Sequence, residues 1–373
     1  MNRYIISPMV KHIQFLLIII LFTNFLLSQS VRSKCLLPTE LKESSGITTI
    51  NNGKSFWLHN DSGSDSEIFE VDSNCQLLRK VLISNALHSD WEAITADDNG
   101  NLYIGDFGNN ANSRMDQAIY IVENINQHTG SSITAKKIEY SYANQLQFPP
   151  SDLYKNFDME AFFWFNDTLH LFSKNRTMPF TGYTYQYKIP AKEGRYTVYP
   201  SDSVITGTGN MNLYWVTDAA ISPKQNKMIL LSYDKAFLFY DFSGSQFFQG
   251  KRKDINFNHI SQKEGITFGS EHELWISEEG GIQGSSLANL YTLSFAELFT
   301  DVHSYDTDRK RKKDCLIFDH GTMISFLQRE KIEDVINLMG QKMKTTEFIT
   351  PGMYMFKQNN QSFYFIFNLR LDP

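Results

Sequence analysis

Asp90-Trp-Glu-Ala-Ile94 opens a segment whose order of residues recurs along the chain. An acid and a small residue lead into an apolar strand, and a second apolar stretch, Leu102-Tyr-Ile-Gly-Asp106, follows a short turn. A third, Ala118-Ile-Tyr-Ile-Val122, completes the unit. The same order begins at four other places, namely Glu43-Ser-Ser-Gly-Ile47, Asp158-Met-Glu-Ala-Phe162, Asp218-Ala-Ala-Ile221 and Glu264-Gly-Ile266. Recurrence of one supersecondary unit is the signature of a repeat architecture, here an all-β one.

The spacing of the units favours a β-propeller. The leading acids recur at intervals of roughly 45 to 70 residues, near the ~40 to 50 residues of a four-stranded blade. Asn51-Asn-Gly53 and Asp97-Asp-Asn-Gly100 suit tight turns because these residues tolerate positive φ. Fourth strands fit at Leu77 to Ile83, Lys136 to Tyr142 and Arg195 to Pro200.

We therefore predict an all-β fold with a β-propeller over residues 35–299. Five blades are clear, and a sixth, atypical blade assembled from the longer intervals or from both ends of the domain is an alternative. An irregular β-sandwich is the other alternative. Radial repetition favours the propeller because it explains why one strand order recurs.

The N-terminus has the pattern of a signal peptide over residues 1–30. Arg3 and Lys11 precede a 13-residue apolar run from Phe15 to Leu27, and Ser28-Gln-Ser30 follows. A membrane-spanning helix needs about 20 apolar residues, so we expect export and no transmembrane helix in the mature protein. Export makes Cys35 and Cys75 a candidate disulfide. Two unpaired thiols are the alternative, because a disulfide needs a geometry that sequence does not give.

The repeat stops after Phe299, and two further segments follow. Residues 300–314 contain Asp308-Arg-Lys-Arg-Lys-Lys-Asp314, which predicts a charged, solvated linker. In residues 315–373, Gly340 and Pro351-Gly352 punctuate short apolar stretches. This pattern predicts a small antiparallel β-sandwich at the C-terminus.

Two motifs in this tail, Asn337-Leu-Met-Gly-Gln-Lys342 and Thr350-Pro-Gly-Met-Tyr354, resemble the C-terminal sorting domain of the type IX secretion system of Gram-negative bacteria. The resemblance spans Cys315 to Asn368, although Phe318-Asp-His-Gly321 replaces the family's opening Asn-Pro pair. It implies that outer-membrane secretion machinery is a partner and that the protein ends in the extracellular space or on the outer cell surface. It also implies that the tail is often cleaved or exchanged for an anchor. A plain accessory β-domain is the alternative.

Propeller geometry gathers the acids of the repeat on one face. If the acid-bearing strand is the innermost of its blade, the acid lies where that strand begins, near one mouth of the central channel. Each antiparallel second strand returns its last residues to the same face. The acids expected there are Glu43, Asp90, Glu92, Asp158, Glu160, Asp218 and Glu264. The second-strand ends add His59, Asp61, Asp106, Lys174, Arg176 and Glu278.

Crowded carboxylates repel one another unless a cation, basic side chains or protonation relieves the repulsion. Ca²⁺ takes about 6 to 8 oxygen ligands, which makes calcium the candidate cofactor. Lys174, Arg176 and His59 are the alternative source of positive charge. As a further alternative, each acid accepts backbone N–H bonds from the next blade and locks the ring.

Asp90-Trp-Glu-Ala-Ile94, Asp158-Met-Glu-Ala-Phe162 and Glu264-Gly-Ile266 also resemble exported bacterial propellers of the phytase-like esterase group and, more distantly, the gluconolactonase-like propellers. That resemblance covers most of residues 43–298. It implies a divalent metal held by channel-facing acids, here Glu92, Glu160 and Glu264, with Asp218 from the fourth unit. It also implies hydrolysis of phosphate or ester bonds in some members. Eight further residues of the predicted mouth are then candidates for ligand binding: His59, Asp61, Asp90, Asp106, Asp158, Lys174, Arg176 and Glu278.

Composition and missing motifs narrow the function. The chain has 35 Lys+Arg and 41 Asp+Glu, a formal net charge of -6, so it has no basic footprint for nucleic acid. No G-x-S-x-G elbow and no His-rich metal spacing occur, which argues against serine esterases and zinc hydrolases. Three functions stay open: an exported propeller that binds a small-molecule or surface ligand, a metal-dependent hydrolase of phosphate or lactone/ester substrates, and a non-catalytic adhesion protein. No catalytic residue is assigned.

Overall fold

Strands form nearly all of the regular structure. The computed structural model describes residues 31–281 and 287–295, together with five strands between residues 316 and 368. Within these residues the helical elements are short 3₁₀ turns, at Thr39–Leu41, Ile125–Gln127, Asp152–Tyr154, Met211–Leu213 and Phe247–Gln249. The predicted all-β class is confirmed. The chain divides into two compact units, Met1–Glu297 and Leu298–Pro373.

The first unit contains five blades, as the repeat predicts, and their innermost strands contact one another in a closed ring. From the innermost strand outward, blade 1 has Ser44–Thr48, Ser55–Asn60, Glu67–Asp72 and Leu77–Ile83, and blade 2 has Trp91–Ala96, Leu102–Asp106, Ala118–Val122 and Lys136–Tyr142. Blade 3 has Asp158–Phe165, Thr168–Lys174, Tyr183–Pro190 and Pro200–Ile205, and blade 4 has Asp218–Ile221, Lys227–Leu231, Lys235–Tyr240 and Lys251–Asn256. Blade 5 has Lys263–Ser270, Glu273–Glu278, Asn289–Ser294 and Arg32–Leu36.

Burial along the strands explains why the blades stack. The innermost strand of blade 3, Asp158–Phe165, is buried at every residue, whereas the outermost strand of blade 2, Lys136–Tyr142, is fully buried only at alternate positions from Ile138 on. A strand covered on both faces is apolar throughout, and one covered on a single face alternates. The covering surfaces are the neighbouring blades. Trp57 of blade 1 and Trp91 of blade 2, for example, share one buried cluster between their sheets.

The N-terminal strand closes the ring, so the two ends of the domain meet in blade 5 and build no sixth blade in the described residues. Arg32–Leu36 pairs antiparallel with Asn289–Ser294. The propeller thus begins at Arg32, slightly earlier than predicted. A Cys35–Cys75 disulfide then ties this strand to the turn between the third and fourth strands of blade 1, with a Cα–Cα distance of 6.0 Å. A crosslink that closes a loop of this length contributes about 2–4 kcal/mol.

The prediction for one strand is wrong, because the strand joins a different blade. Arg195 to Pro200 was expected to be the fourth strand of blade 3, but Gly194–Val198 pairs in parallel with Lys136–Tyr142 of blade 2. The fourth strand of blade 3 is Pro200–Ile205. The half-buried pattern of Gly194–Val198 suits an outermost strand of either blade, so its pattern does not reveal which blade it joins. A short strand, Ser132–Ile133, likewise adds to blade 1 in parallel with Leu77–Ile83.

The second unit is a single five-stranded sheet in the described residues. Its strands are Leu316–Phe318, Val335–Asn337, Lys342–Met343, Gly352–Gln358 and Ser362–Asn368. Asn337 and Tyr354, one from each tail motif, lie opposite each other in the register of two adjacent strands. The predicted signal peptide, residues 1–30, and the whole predicted linker, residues 300–314, lie outside the described residues. No helix in the described part is long and apolar enough to cross a membrane.

Candidate functional site

A β-bulge marks the start of four innermost strands. The pairing register shifts between Ser44 and Gly46, Trp91 and Ala93, Met159 and Ala161, and Lys263 and Gly265. The extra residues are Ser45, Glu92, Glu160 and Glu264. A bulge re-aims the side chain of its extra residue, and bulges are frequent beside functional sites. Blade 4 pairs from Asp218 to Ile221 without a shift and has no glutamate there.

The three bulge glutamates are buried and interact. Glu92, Glu160 and Glu264 are 5%, 2% and 8% exposed. Burial raises the pKa of each carboxyl, and repulsion from Glu160 further raises the pKa of Glu92, while repulsion from Glu264 does the same for Glu160. Three carboxylates from three blades therefore share one electrostatic environment at the start of the innermost strands. This is the convergence that the repeat predicts.

Lys174 supplies a buried positive charge to this group. Its Nζ lies 2.9 Å from Oε2 of Glu160, and its side chain is as buried as the glutamates. Burial alone would lower the pKa of Lys174, but attraction by Glu160 and Glu264 outweighs it and holds the pKa well above its usual value. Tyr233 donates its hydroxyl to Oε1 of Glu264 at 3.1 Å, and Oε2 of Glu264 has no partner in the described residues.

Two arginine–aspartate pairs frame the mouth. Arg176 Nε lies 2.6 Å from Oδ2 of Asp158, and its guanidinium stacks 4.5 Å from the centre of the Trp215 ring. Arg114 pairs with Asp106 at 3.0 Å. Such charge-assisted bonds fix side-chain orientation. The other oxygen of Asp158 accepts the backbone N–H of Asn109 at 2.7 Å. Asp106 and Asp158 are thus held by protein partners.

Asp61, Asp90 and Glu92 differ from Asp106 and Asp158, because no basic side chain pairs with them in the described residues. One carboxylate oxygen from each lies within 4.8 Å of the others. Burial, followed by repulsion from Asp61 and Asp158, raises the pKa of Asp90 to about 6. Gly108 lies directly against the pair: a Cβ there would stand 2.1 Å from Glu92 Oε1 and 2.5 Å from Asp90 Oδ2. We call Asp61, Asp90 and Glu92 the carboxylate trio.

Three predicted residues have structural partners instead. Both carboxylate oxygens of Asp218 accept backbone N–H bonds, from Ala219 at 2.8 Å and from Ile266 of blade 5 at 2.7 Å. Asp218 therefore joins two blades, which is the ring-locking alternative. His59 is fully buried, bonds the carbonyl of Asn60, and has a pKa lowered by burial to about 4. Glu278 accepts the hydroxyl of Tyr291 at 2.6 Å.

The sequence missed Arg114, Gly108 and Glu279. Arg114 and Gly108 lie in the loop after the second strand of blade 2, where no repeat position singles them out. Glu279 follows Glu278 directly, and burial, then repulsion from Glu264 and Asp61, raises the pKa of Glu279 to about 7. Asp61 stands in the same way one residue past its own second strand, Ser55–Asn60. That shared position is the signal that would have selected Glu279 over Glu278.

Comparison with known proteins gives one matching family model and solved structures of low similarity. The sequence model of a family described as SdiA-regulated matches residues 33–282. An aldose sugar dehydrogenase from Streptomyces coelicolor in its PQQ-bound form has a TM-score of 0.39 at 11% identity, covering 71% of this chain and 98% of its own. The β-propeller domain of Cps50 (Swd1) from Myceliophteria thermophila has a TM-score of 0.37 at 7% identity, covering 70% and 99%. No curated protein matches the sequence.

Proposed function

The chain belongs to the SdiA-regulated family, which is of β-propeller type, and we propose that it is exported and binds a divalent cation. The cation that we propose is calcium. The carboxylate trio, Asp61, Asp90 and Glu92, holds the ion at the mouth of the channel. The ion in turn offers open coordination positions to an anionic or oxygen-rich ligand beside Lys174 and Arg176.

One observation carries the proposal: three carboxylates converge, and none of them forms an ion pair with a lysine or arginine in the described residues. Their oxygens lie within 4.8 Å of one another. Calcium binds oxygens at about 2.3–2.6 Å, so two oxygens on one ion stand up to about 5 Å apart. The trio therefore has the spacing that a shared calcium ion needs. Buried charges are paired or coordinate metals, and the glutamate next to the trio, Glu160, is already paired with Lys174.

Calcium rather than zinc or a transition metal suits this donor set. The trio offers only carboxylate oxygens, and hard oxygen ligands select calcium, magnesium or manganese. Magnesium demands a near-ideal octahedron at about 2.0–2.1 Å, whereas calcium accepts irregular sets with water completing the shell. Asp61 and Asp90 are part-exposed, so water reaches the site from the mouth.

Isothermal titration with calcium chloride at pH 7.5 tests the proposal. We expect saturable binding by the unmodified protein and a higher melting temperature with calcium than with EDTA. Asp90→Asn keeps the shape but removes a charged ligand, and we expect its affinity to fall at least about tenfold, equal to about 1.4 kcal/mol. Asp241→Asn is the charge-matched control, because Asp241 lies in the exposed turn after the strand Lys235–Tyr240 and pairs with an exposed lysine, Lys251.

Two results would contradict cation binding. One is the absence of both heat and a thermal shift in the unmodified protein. The other is an Asp90→Asn variant that binds calcium as tightly as the unmodified protein and the Asp241→Asn control.

We propose export on two grounds. The N-terminal pattern is that of a signal peptide, and the Cys35–Cys75 disulfide is of a kind that persists in oxidising compartments. We further propose that residues 315–373 direct the protein through the type IX machinery. Asn337 of one motif and Tyr354 of the other lie opposite each other on adjacent strands, which supports recognition of the two motifs together.

Truncation after Asp314 tests the role of the tail. In a host that carries the type IX machinery, we expect the full chain on the cell surface or in the medium and the truncated chain retained in the periplasm. Surface labelling and fractionation distinguish the two. Equal surface labelling of both chains would remove the sorting role, and the cation site would be unaffected by that result.

A further inference from the structure

We propose that the opposite mouth of the channel is a second binding site, for a small neutral polyhydroxylated molecule such as a monosaccharide or a cyclitol. The innermost strands begin on the face of the ring where the carboxylate trio lies, and they end on the opposite face. There they surround a cavity of about 290 Å³ to which all five blades contribute. Drug-sized ligands occupy pockets of about 300–1,000 Å³, so this cavity suits a single small ring.

Four threonines line this cavity, and the hydroxyls of two of them, Thr48 and Thr267, have no protein partner in the described residues. Thr48 of blade 1 and Thr267 of blade 5 are 6% and 7% exposed, and neither hydroxyl forms a hydrogen bond within the described residues. Thr95 of blade 2 accepts the backbone N–H of Trp164 at 3.4 Å and keeps its own proton to donate. Buried hydroxyls are nearly always satisfied, so the missing partners belong in the cavity.

The backbone around the cavity adds further neutral hydrogen-bonding groups. Each innermost strand is the edge of its sheet and pairs with a neighbour on one side only. On the other side some backbone groups are bonded by side chains of the neighbouring blade, such as Trp164 N–H by Thr95 and Ile266 N–H by Asp218, and the rest have no ladder partner. Five such edges surround the channel, so both backbone donors and backbone acceptors stand around a molecule at its centre. Hydroxyl groups, which donate and accept, match this arrangement better than a group that can only accept or only donate.

Trp164 gives the site an aromatic surface. Its indole belongs to the cluster between blades 2 and 3 and also lines the cavity. Aromatic rings bind apolar C–H faces well, and a saturated ring that carries hydroxyls has both a C–H face and polar edges.

The cavity is also nearly free of charge. Asp97 and Asp98 are the only ionisable residues among those that line it. Both oxygens of Asp97 are engaged within its own turn and strand, by Asn99, Asn101 and Tyr103. Asp98 is exposed at the rim. An anionic ligand would find no positive charge inside, and the Asp97 carboxylate is already occupied by these hydrogen bonds, so we infer a neutral occupant. This site differs in chemistry from the carboxylate trio and does not depend on it.

Titration with D-glucose, D-galactose and myo-inositol, with D-glucuronate as the charged comparison, tests the inference by calorimetry and by saturation-transfer NMR. We expect saturable binding of at least one neutral probe and at least tenfold weaker binding of glucuronate. The double variant Thr48→Val/Thr267→Val removes both unpaired hydroxyls, so we expect at least tenfold weaker binding with no drop in melting temperature. Thr197→Val, at an exposed threonine on the strand Gly194–Val198 and outside the cavity, is the matched control and should bind the neutral probe normally.

Absence of saturable binding for all three neutral probes overturns the inference. Binding that survives unchanged in the double valine variant, or glucuronate binding as tight as glucose binding, overturns it as well. Because calcium binding is measured separately, failure of this site and failure of the cation site are distinguishable.

Discussion

Replacement of Lys174 by methionine should lower the free energy of unfolding by about 3–5 kcal/mol at pH 7.5. Lys174 is the buried partner of Glu160 at 2.9 Å and also attracts Glu264. Without Lys174, two or more buried carboxylates repel one another. The cation left beside them is Arg176, whose Nη2 lies 3.4 Å from Oε1 of Glu160. Removal of one partner of a buried pair leaves the other charge uncompensated, which is the costly half of the interaction. Urea denaturation without calcium measures the effect.

A second variant separates lost charge compensation from lost packing. Lys174→Met/Glu160→Gln removes both partners, and we expect it to regain most of the lost stability. Lys80→Met is the control, because Lys80 is half exposed and its pair with Glu67 is worth less than about 1 kcal/mol. If Lys174→Met changes stability no more than Lys80→Met does, the lysine is not the counter-ion of the glutamates.

The rise in melting temperature caused by calcium should be large at pH 7.5 and nearly absent at pH 5. Asp90 has a pKa of about 6, and that of Glu92 is raised well above its usual value, so protons compete with the ion for the trio. Above pH 6, Asp90 is ionised and binds calcium. As the pH falls through 6, it takes up a proton and the ion loses a ligand. Differential scanning fluorimetry with calcium and with EDTA, at each pH, measures the difference.

Proton linkage sets the direction in which pH changes the stabilisation by calcium. The folded metal-free protein holds a proton on Asp90 more tightly than the unfolded chain, whose carboxyl has the model value of 3.8. Metal-free stability from this group therefore rises as the pH falls from about 6 to about 4, and the advantage of calcium shrinks over the same range. The buried histidines His59 and His170, with pKa values lowered to about 4 and 3, act in the opposite direction. Their contribution is the same with and without calcium, so it cancels in the difference between the two melting temperatures. An equal calcium shift at pH 5 and pH 7.5 would contradict proton competition at the trio.

The repeat predicted the blades because each unit carries its own strand order and turns. It also placed Glu92, Glu160 and Glu264 at one mouth, since equivalent positions in a radial repeat meet at the axis. The bulges that aim these side chains were not predictable, because a bulge is a property of pairing between two strands. A one-residue offset decides which of two adjacent acids turns inward, which is why Glu278 was named and Glu279 was missed.

Contacts between residues from distant parts of the chain could likewise not be predicted from the sequence. Asp218 matches the repeat position of Asp90, but the backbone N–H of Ile266 in the next blade occupies its carboxylate. The contact of Trp215 with the Arg176 guanidinium joins residues of blades 3 and 4 that are far apart in the sequence. Strand Arg32–Leu36 closes a blade built from the other end of the domain, with pairing that no local pattern encodes.

The most direct measurement is an anomalous difference map from crystals grown with calcium and from crystals in which manganese replaces it. The account predicts one peak bonded to carboxylate oxygens of Asp61, Asp90 and Glu92, at about 2.3–2.6 Å for calcium. A trio free of any peak at saturating metal, with Asp90 and Glu92 hydrogen-bonded to each other through a shared proton, would contradict it.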